Sequence, residues 1–253
     1  MTQQSISENH YAVQSIAQRK HGGGVGKGER SHQKHEAIRR FLHRQIPVLA
    51  KRGRGLIIDM HAGDGRETPH IQPDFFAGGA LITTPHLAIV AARKWGADVW
   101  LCEKSHGPRV ALIAAHGHEA TVLRNHNTLD LRLAEIAAAP WVIVLNDPNG
   151  HSQHGVETMR EIARANPCSD FIVVVNCGSL KRHLAVGKSD NTGNEFALSV
   201  EAAKERYSWM LEPEAWAQQL FKRQHVATEP MYLSNEMTAQ VVLCSNWIAG
   251  YGK

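Results

Sequence analysis

Short apolar runs, each closed by a polar cluster, recur along this chain and alternate with stretches of helical periodicity. The runs span residues 56–60 (LIIDM), 98–102, 120–123, 141–145 (WVIVL) and 171–177 (FIVVVNC). Apolar runs of this length without alternation are the pattern of strands buried on both faces, as in parallel sheets. Between them lie helices. Ile38, Phe41, Leu42, Ile46 and Leu49 recur at helical spacing within 32–51, with Arg39, Arg40, His43 and Arg44 on the other side. Thr83 or Thr84 is placed to cap a helix with Pro85 at its first position. Further helices are predicted over 111–116, 133–138, 159–165, 200–211 and 214–223. Two last strand-like runs, around 231–233 and 239–245, flank Ser234-Asn235-Glu236 and predict a terminal hairpin. The expected fold is α/β: a doubly wound, mostly parallel seven-stranded sheet closed by a C-terminal antiparallel hairpin. The polar stretch 178–195 is too long for a plain connection, and loops of that length are usually functional or disordered.

A chain of 253 residues is one α/β domain of ordinary size, here with an extension. Residues 1–31 are predicted as a flexible, basic, glycine-rich arm and 32–253 as the domain. The arm carries HGGGVGKGERS, which is no P-loop: Lys27 is followed by Gly28, and no strand precedes it. No apolar run reaches the ~20 residues a membrane helix needs. The N-terminus lacks the basic-then-apolar order of a signal peptide. Cys102, Cys168, Cys177 and Cys244 form no CxxC pair, and three of them sit in or beside apolar runs. Buried thiols in a reducing cytoplasm are the expectation. A net charge of +4 permits a nucleic-acid partner without demanding one. Of the sixteen histidines, the pairs His32/His35, His116/His118 and His151/His154 are not joined by Cys or carboxylate at ligand spacing. No metal is expected from them.

The chemistry concentrates where the strands end. The first strand runs through Asp59, His61 and Ala62 into Gly63-x-Gly65, a tight turn with no Cβ in the way of a ligand. Thr68 stands where a GxGxxG fingerprint would have its third glycine. The second strand ends on Glu103, placed to accept hydrogen bonds from ribose hydroxyls. Asn127 and Asp130 follow the third strand, and Asn146-Asp147-Pro148-Asn149-Gly150 follows the fourth. Each cluster alone is satisfied by an ordinary turn or strand-end charge. Four at successive strand ends, the edge where doubly wound sheets bind ligands, point to one site.

With its terminal hairpin, the chain resembles the Rossmann-like S-adenosylmethionine-dependent methyltransferases. A nicotinamide-dependent oxidoreductase fits the loop and Glu103 but neither the hairpin nor the missing glycine. Within that superfamily the chain is similar to the three-Cys-motif partner proteins. The matching pieces are the Lys-bearing helix SHQKHEAIRRFL, IIDMHAGDG, TTPHLAIVAA, LCEK, VLNDPNG and AQVVLCSN, over about residues 31–246. The resemblance implies that Asp59, His61, Ala62, Gly63 and Gly65 form the loop for S-adenosylmethionine. It places Glu103 on the ribose, and Asn127 and Asp130 near the adenine. Asn146, Asp147 and Pro148 would face the methyl group and orient a target amine.

In amino-methyltransferases of the Asp-Pro-Pro-Tyr type, an aromatic residue stacks on a flipped base. This chain has Asn149 at the second proline and Gly150 at the aromatic position. His151, His154 or the 178–195 loop would have to supply the ring. Two functions follow. One is a cytoplasmic enzyme methylating nucleic acid, DNA or RNA, with an amino group of a base favoured. The other is a catalytically silent methyltransferase-fold protein that binds nucleic acid or a protein partner.

Overall fold

In each central strand successive side chains point to opposite faces, and each face has its own cover of helices. The computed structural model describes residues 29–65, 68–69, 80–81, 83–148, 155–175, 221–233 and 236–246, with isolated helical positions at 215, 218 and 221. The chain enters through α1 (Glu29–Leu49), a 3-10 turn (Ala50–Arg52) and β1 (Gly55–Asp59). A small antiparallel pair, β2 (Thr68–Pro69) and β3 (Ala80–Leu81), precedes α2 (Thr84–Trp95) and β4 (Ala97–Cys102). Then come α3 (His106–His116), β5 (Thr121–Leu123), a 3-10 segment (His126–Arg132) and α4 (Leu133–Ala138). β6 (Val142–Asn146), α5 (Val156–Ala165), β7 (Ser169–Val175), β8 (His225–Leu233) and β9 (Glu236–Ser245) complete the described elements.

The main sheet has seven strands in the order β5-β4-β1-β6-β7-β9-β8. The first five run parallel, and β9 joins β7 antiparallel with β8 at the edge. The order reverses at β1, whose neighbours β4 and β6 come from the two halves of the chain. Alternation sorts the core. Ile57, Val99, Leu101, Ile143 and Leu145 pack with Phe41, Ile46 and Leu87 of α1 and α2. Ile58, Val142, Val144, Phe171 and Val173 pack with Ile136 of α4 and Met159 and Ile162 of α5.

Several boundaries depart from the expectations. Helix α1 begins at Glu29, inside the segment read as arm. Helix α3 starts at His106 rather than 111: Pro108 lies in its first turn, where a missing N–H costs nothing. The polar residues after β5 form a 3-10 segment. Strands β8 and β9 are each longer than predicted. The predicted helices at 200–211 and 214–223 lie largely outside the described residues, as do the 178–195 stretch, the arm 1–28 and Cys177. The basic side of α1 is partly spent within the chain: Arg39 binds Glu36 at 2.7 and 2.6 Å, and Arg40 reaches Glu229 on β8.

Arg223, itself buried, ties the entry to β8 onto the start of β7. It donates to Ser169 O at 2.9 Å, to Ser169 Oγ at 2.6 Å and to Phe221 O at 3.0 Å. Beside it, burial pushes the Asp170 carboxyl up to about 7, against the opposing pull of Ser245, Arg223 and Arg52.

Candidate functional site

The loop after β1 is held between its two neighbours. Met60 N–H donates to Leu145 O and Ala62 N–H to Cys102 O, both at 2.9 Å. Asp59 is wholly buried at the strand end. Its Oδ1 accepts the His61 N–H at 3.0 Å. Burial pushes this carboxyl up to about 7, and the charge of Asp147 adds to the rise. The Thr84 hydroxyl, the His61 N–H and Lys34 oppose it.

Gly63 and Glu103 meet across 40 residues of sequence: the Gly63 N–H donates to Glu103 Oε2 at 3.0 Å. Glu103 Oε1 accepts the Ser105 N–H at 2.6 Å, so the carboxylate is fixed in orientation. Gly63 and Gly65 both lie in the left-handed region, at φ +65° and +64°. Their surroundings differ. A Cβ on Gly63 would meet no heavy atom within 4 Å among the described residues, whereas one on Gly65 would stand 2.7 Å from Leu112 Cδ1. Gly65 O accepts from His116 Nε2 at 3.3 Å and from Thr83 Oγ1 at 3.5 Å. Gly65 thus packs into the wall, while the space beside Gly63 is open among the described residues.

Across from the loop, Asp147 follows β6 and pairs with Lys34 Nζ at 2.5 Å. Asn146 is buried, and its Nδ2 points to Met159 Sδ at 3.1 Å. Pro148 is half-buried and closes this described stretch; Asn149, Gly150, His151 and His154 lie outside the described residues. After β5, Asn125 caps the 3-10 segment by accepting the Asn127 N–H at 3.4 Å. Asn127 and Asp130 are exposed.

The fold therefore brings Asp59, His61, Ala62, Gly63, Gly65, Glu103 and Asp147 to one strand-end ridge. It leaves the Asn127 and Asp130 side chains at the surface and turns Asn146 towards the core. Sequence reasoning read Thr84 only as a possible cap, gave Lys34 no partner within its helix, and passed over His126. Lys34 carried a signal: it heads the apolar stripe Ala37, Ile38, Phe41 of α1, where a lysine needs a partner. Among the described residues no cluster of three or more His, Cys, Asp or Glu is placed to hold a metal.

No protein-family model matches the chain. No curated protein sequence matches it either. Solved structures do. Protein LPL1258 from Legionella pneumophila superposes with a TM-score of 0.54 at 13% identity, covering 88% of this chain and 86% of that one. The likeness is one of fold. Two weaker neighbours are the plantazolicin methyltransferase BpumL in complex with S-adenosylhomocysteine (TM-score 0.47, 10% identity, 96% and 92% covered) and the METTL16 methyltransferase domain (0.43, 10%, 83% and 83%). The seven-stranded, mostly parallel sheet with its antiparallel C-terminal strands is the class I methyltransferase-like fold.

Proposed function

We propose that this chain is an S-adenosylmethionine-dependent methyltransferase that modifies an amino group of a nucleic-acid base. The observation that carries the reading is the Gly63 to Glu103 hydrogen bond, with space beside Gly63 among the described residues and Asp147 at the neighbouring strand end. The residues fit the donor. A carboxylate has about four lone-pair sites, so Glu103 retains acceptor capacity for ribose hydroxyls after binding two backbone N–H groups. Gly63 leaves room for the methionine part, and Asp59 holds the loop through the His61 N–H. Bound there, S-adenosylmethionine supplies an electrophilic methyl group on a sulfonium. Asp147 would accept a hydrogen bond from the acceptor amine, and the backbone carbonyl near Pro148 a second, aiming the nitrogen lone pair. Lys34 is the counter-ion that Asp147 exchanges for the amine. The resemblance to the three-Cys-motif partner proteins supports this assignment of roles, and the positive net charge suits a nucleic-acid acceptor.

A second reading has its own observation. Asp147 is already engaged by Lys34 at 2.5 Å, and Gly150 offers no stacking ring. A protein that keeps the fold and the donor site but transfers nothing would look the same at these positions. Incubation with tritiated S-adenosylmethionine and DNA, RNA or protein separates the two. Label on a nucleic-acid base, lost in Asp147→Ala, supports the enzyme. Donor binding with no label on any of the three supports the silent protein.

A further inference from the structure

Helix α1 connects the two ends of the sheet. Lys34, in its second turn, pairs with Asp147 at the carboxyl ends of the strands. The 3-10 turn that follows the helix leads through Arg54 into the opposite end of β1. From Lys34 to Lys51 the path is about 25 Å long at 1.5 Å per helical residue. After Glu36 it carries no carboxylate: residues 37–58 hold six Lys or Arg and no Asp or Glu. Arg44, Lys51 and Arg52 among them are exposed. Gly55 pairs with Ala97, so the last turn of α2 lies beside this end of α1. It adds the exposed Arg93 and Lys94, from a helix that has no acidic residue either. The carboxylates around the face are already engaged: Glu36 by Arg39, Glu229 by Arg40, Asp98 by Arg54 and Glu119 by Arg93. Lys51 and Lys94 have no carboxylate partner among the described residues. Across the sheet, Arg132, Arg160 and Arg164 each pair with a glutamate three residues away, so that side is balanced.

A row of cations without interleaved rings matches a phosphate backbone, whereas bases splayed from a single strand need aromatic platforms. Trp95, at the end of α2, is half-buried with Lys94 Nζ 5.1 Å over its ring. We propose that the α1–α2 face docks the backbone of a double-helical nucleic acid whose target base is presented at Asp147. The proposal rests on the nucleic-acid reading above and deepens it: the acceptor is held as a duplex, by charge, along the helix that also carries Lys34. At 3.4 Å per phosphate along one strand, the path from Lys34 to Lys51 matches about 7 base pairs.

The test is fluorescence anisotropy over a salt series, with the whole 253-residue chain and labelled duplex RNA, duplex DNA and single strand of one mixed sequence. The wild type is expected to bind duplex with a Kd of about 100 μM or tighter. Each phosphate contact contributes about −0.9 to the slope of log K against log salt, so Lys51→Gln/Lys94→Gln should make the slope less steep by about 2. Duplex affinity should fall at least about fivefold at about 0.1 M salt. Arg160→Gln/Arg164→Gln removes the same charge from the other side of the sheet and should bind within about twofold of wild type. Melting curves establish that both variants are folded. No duplex binding at low salt, an unchanged slope in Lys51→Gln/Lys94→Gln, or equal losses in the two variants overturns the docking face. A single strand bound as tightly as the duplexes overturns the choice of partner. S-adenosylhomocysteine is titrated into the same samples by calorimetry. If the docking face fails while that ligand still binds, the donor reading stands. A wild type that binds duplex through Lys51 and Lys94 but never binds S-adenosylhomocysteine supports the docking face and overturns the donor reading.

Discussion

Gly63 and Gly65 share a backbone conformation, and the consequences of adding one methyl group to each should be opposite in kind. At φ near +65° an alanine costs ~1 kcal/mol at either position, because its Cβ crowds the following carbonyl. At Gly65 a second cost is added. The new Cβ would lie 2.7 Å from Leu112 Cδ1 and 2.9 Å from His116 Cδ2. Leu112 is the buried residue of α3 and has nowhere to withdraw. Overpacking of this kind adds ~1–3 kcal/mol, so Gly65→Ala should lose ~2–4 kcal/mol. At roughly 2–4 °C per kcal/mol for a domain of this size, the melting point falls by about 4–16 °C. Gly63→Ala meets no neighbour among the described residues and should fall by only about 2–4 °C. Its methyl group would instead occupy the ground the donor needs, and S-adenosylhomocysteine should bind at least about tenfold more weakly. Differential scanning fluorimetry with and without ligand reads both effects. A Gly63→Ala variant that binds like wild type would show that no ligand uses this ground. Equal melting-point losses for the two variants would refute the steric distinction.

Other positions give independent tests. Asp147→Asn should abolish methyl transfer while leaving S-adenosylhomocysteine affinity within about threefold, as read by calorimetry; lost ligand binding would move Asp147 to the donor side. Lys34→Met removes the cation from a mostly buried pair and should cost ~1–2 kcal/mol in urea unfolding, between the values for exposed and buried pairs. Arg223→Met leaves Ser169 O and Oγ without this donor and removes one of the two arginines whose charge acts on Asp170; ~3 kcal/mol should be lost, and a change below about 1 kcal/mol would contradict the role given to that buried guanidinium. Asp170 titrates near 7 in the folded chain against ~3.9 when unfolded, so the folded state holds its proton more tightly. That contribution is fully present below about pH 4 and is lost as the pH rises through about 7. Between pH 5 and pH 8 the wild type should therefore lose ~1–3 kcal/mol more stability than Asp170→Asn, measured by urea midpoints. A smaller loss in the wild type than in the variant would reverse the sign and refute the assignment.

The strands that show most plainly in the sequence are those whose both faces are largely covered: β1, β4, β6 and β7 are apolar runs because almost no side chain meets water, Asp98 of β4 being the exception, whereas β5, announced by the same kind of run, is an edge strand with partly exposed residues. Strand β8 was read too short because it is the sheet edge, where polar residues and Pro230 are tolerated. The 3-10 segment was hidden because RNHNTLDL has no period, and its geometry depends on Asn125 acting as a cap. The glycine turn after β1 and the carboxylate at the end of β4 were legible from glycine spacing and strand-end chemistry. Their hydrogen bond joins residues 40 apart, and only the parallel register of β1 on β4 brings them together. The ion pair of Lys34 with Asp147 and the ring contact of His61 with His126 depend in the same way on the folded sheet. Helical spacing placed a basic side on α1 but could not reveal that Glu36 and Glu229 neutralise part of it.

The central claim is that the ridge formed by Gly63 and Glu103 binds the methyl donor. Titrating S-adenosylhomocysteine into the wild-type chain and into Glu103→Ala tests it most directly. Saturable one-to-one binding to the wild type, at least about tenfold weaker in a folded Glu103→Ala, is the predicted result. No heat of binding in the wild type, or equal affinity in the variant, would contradict it.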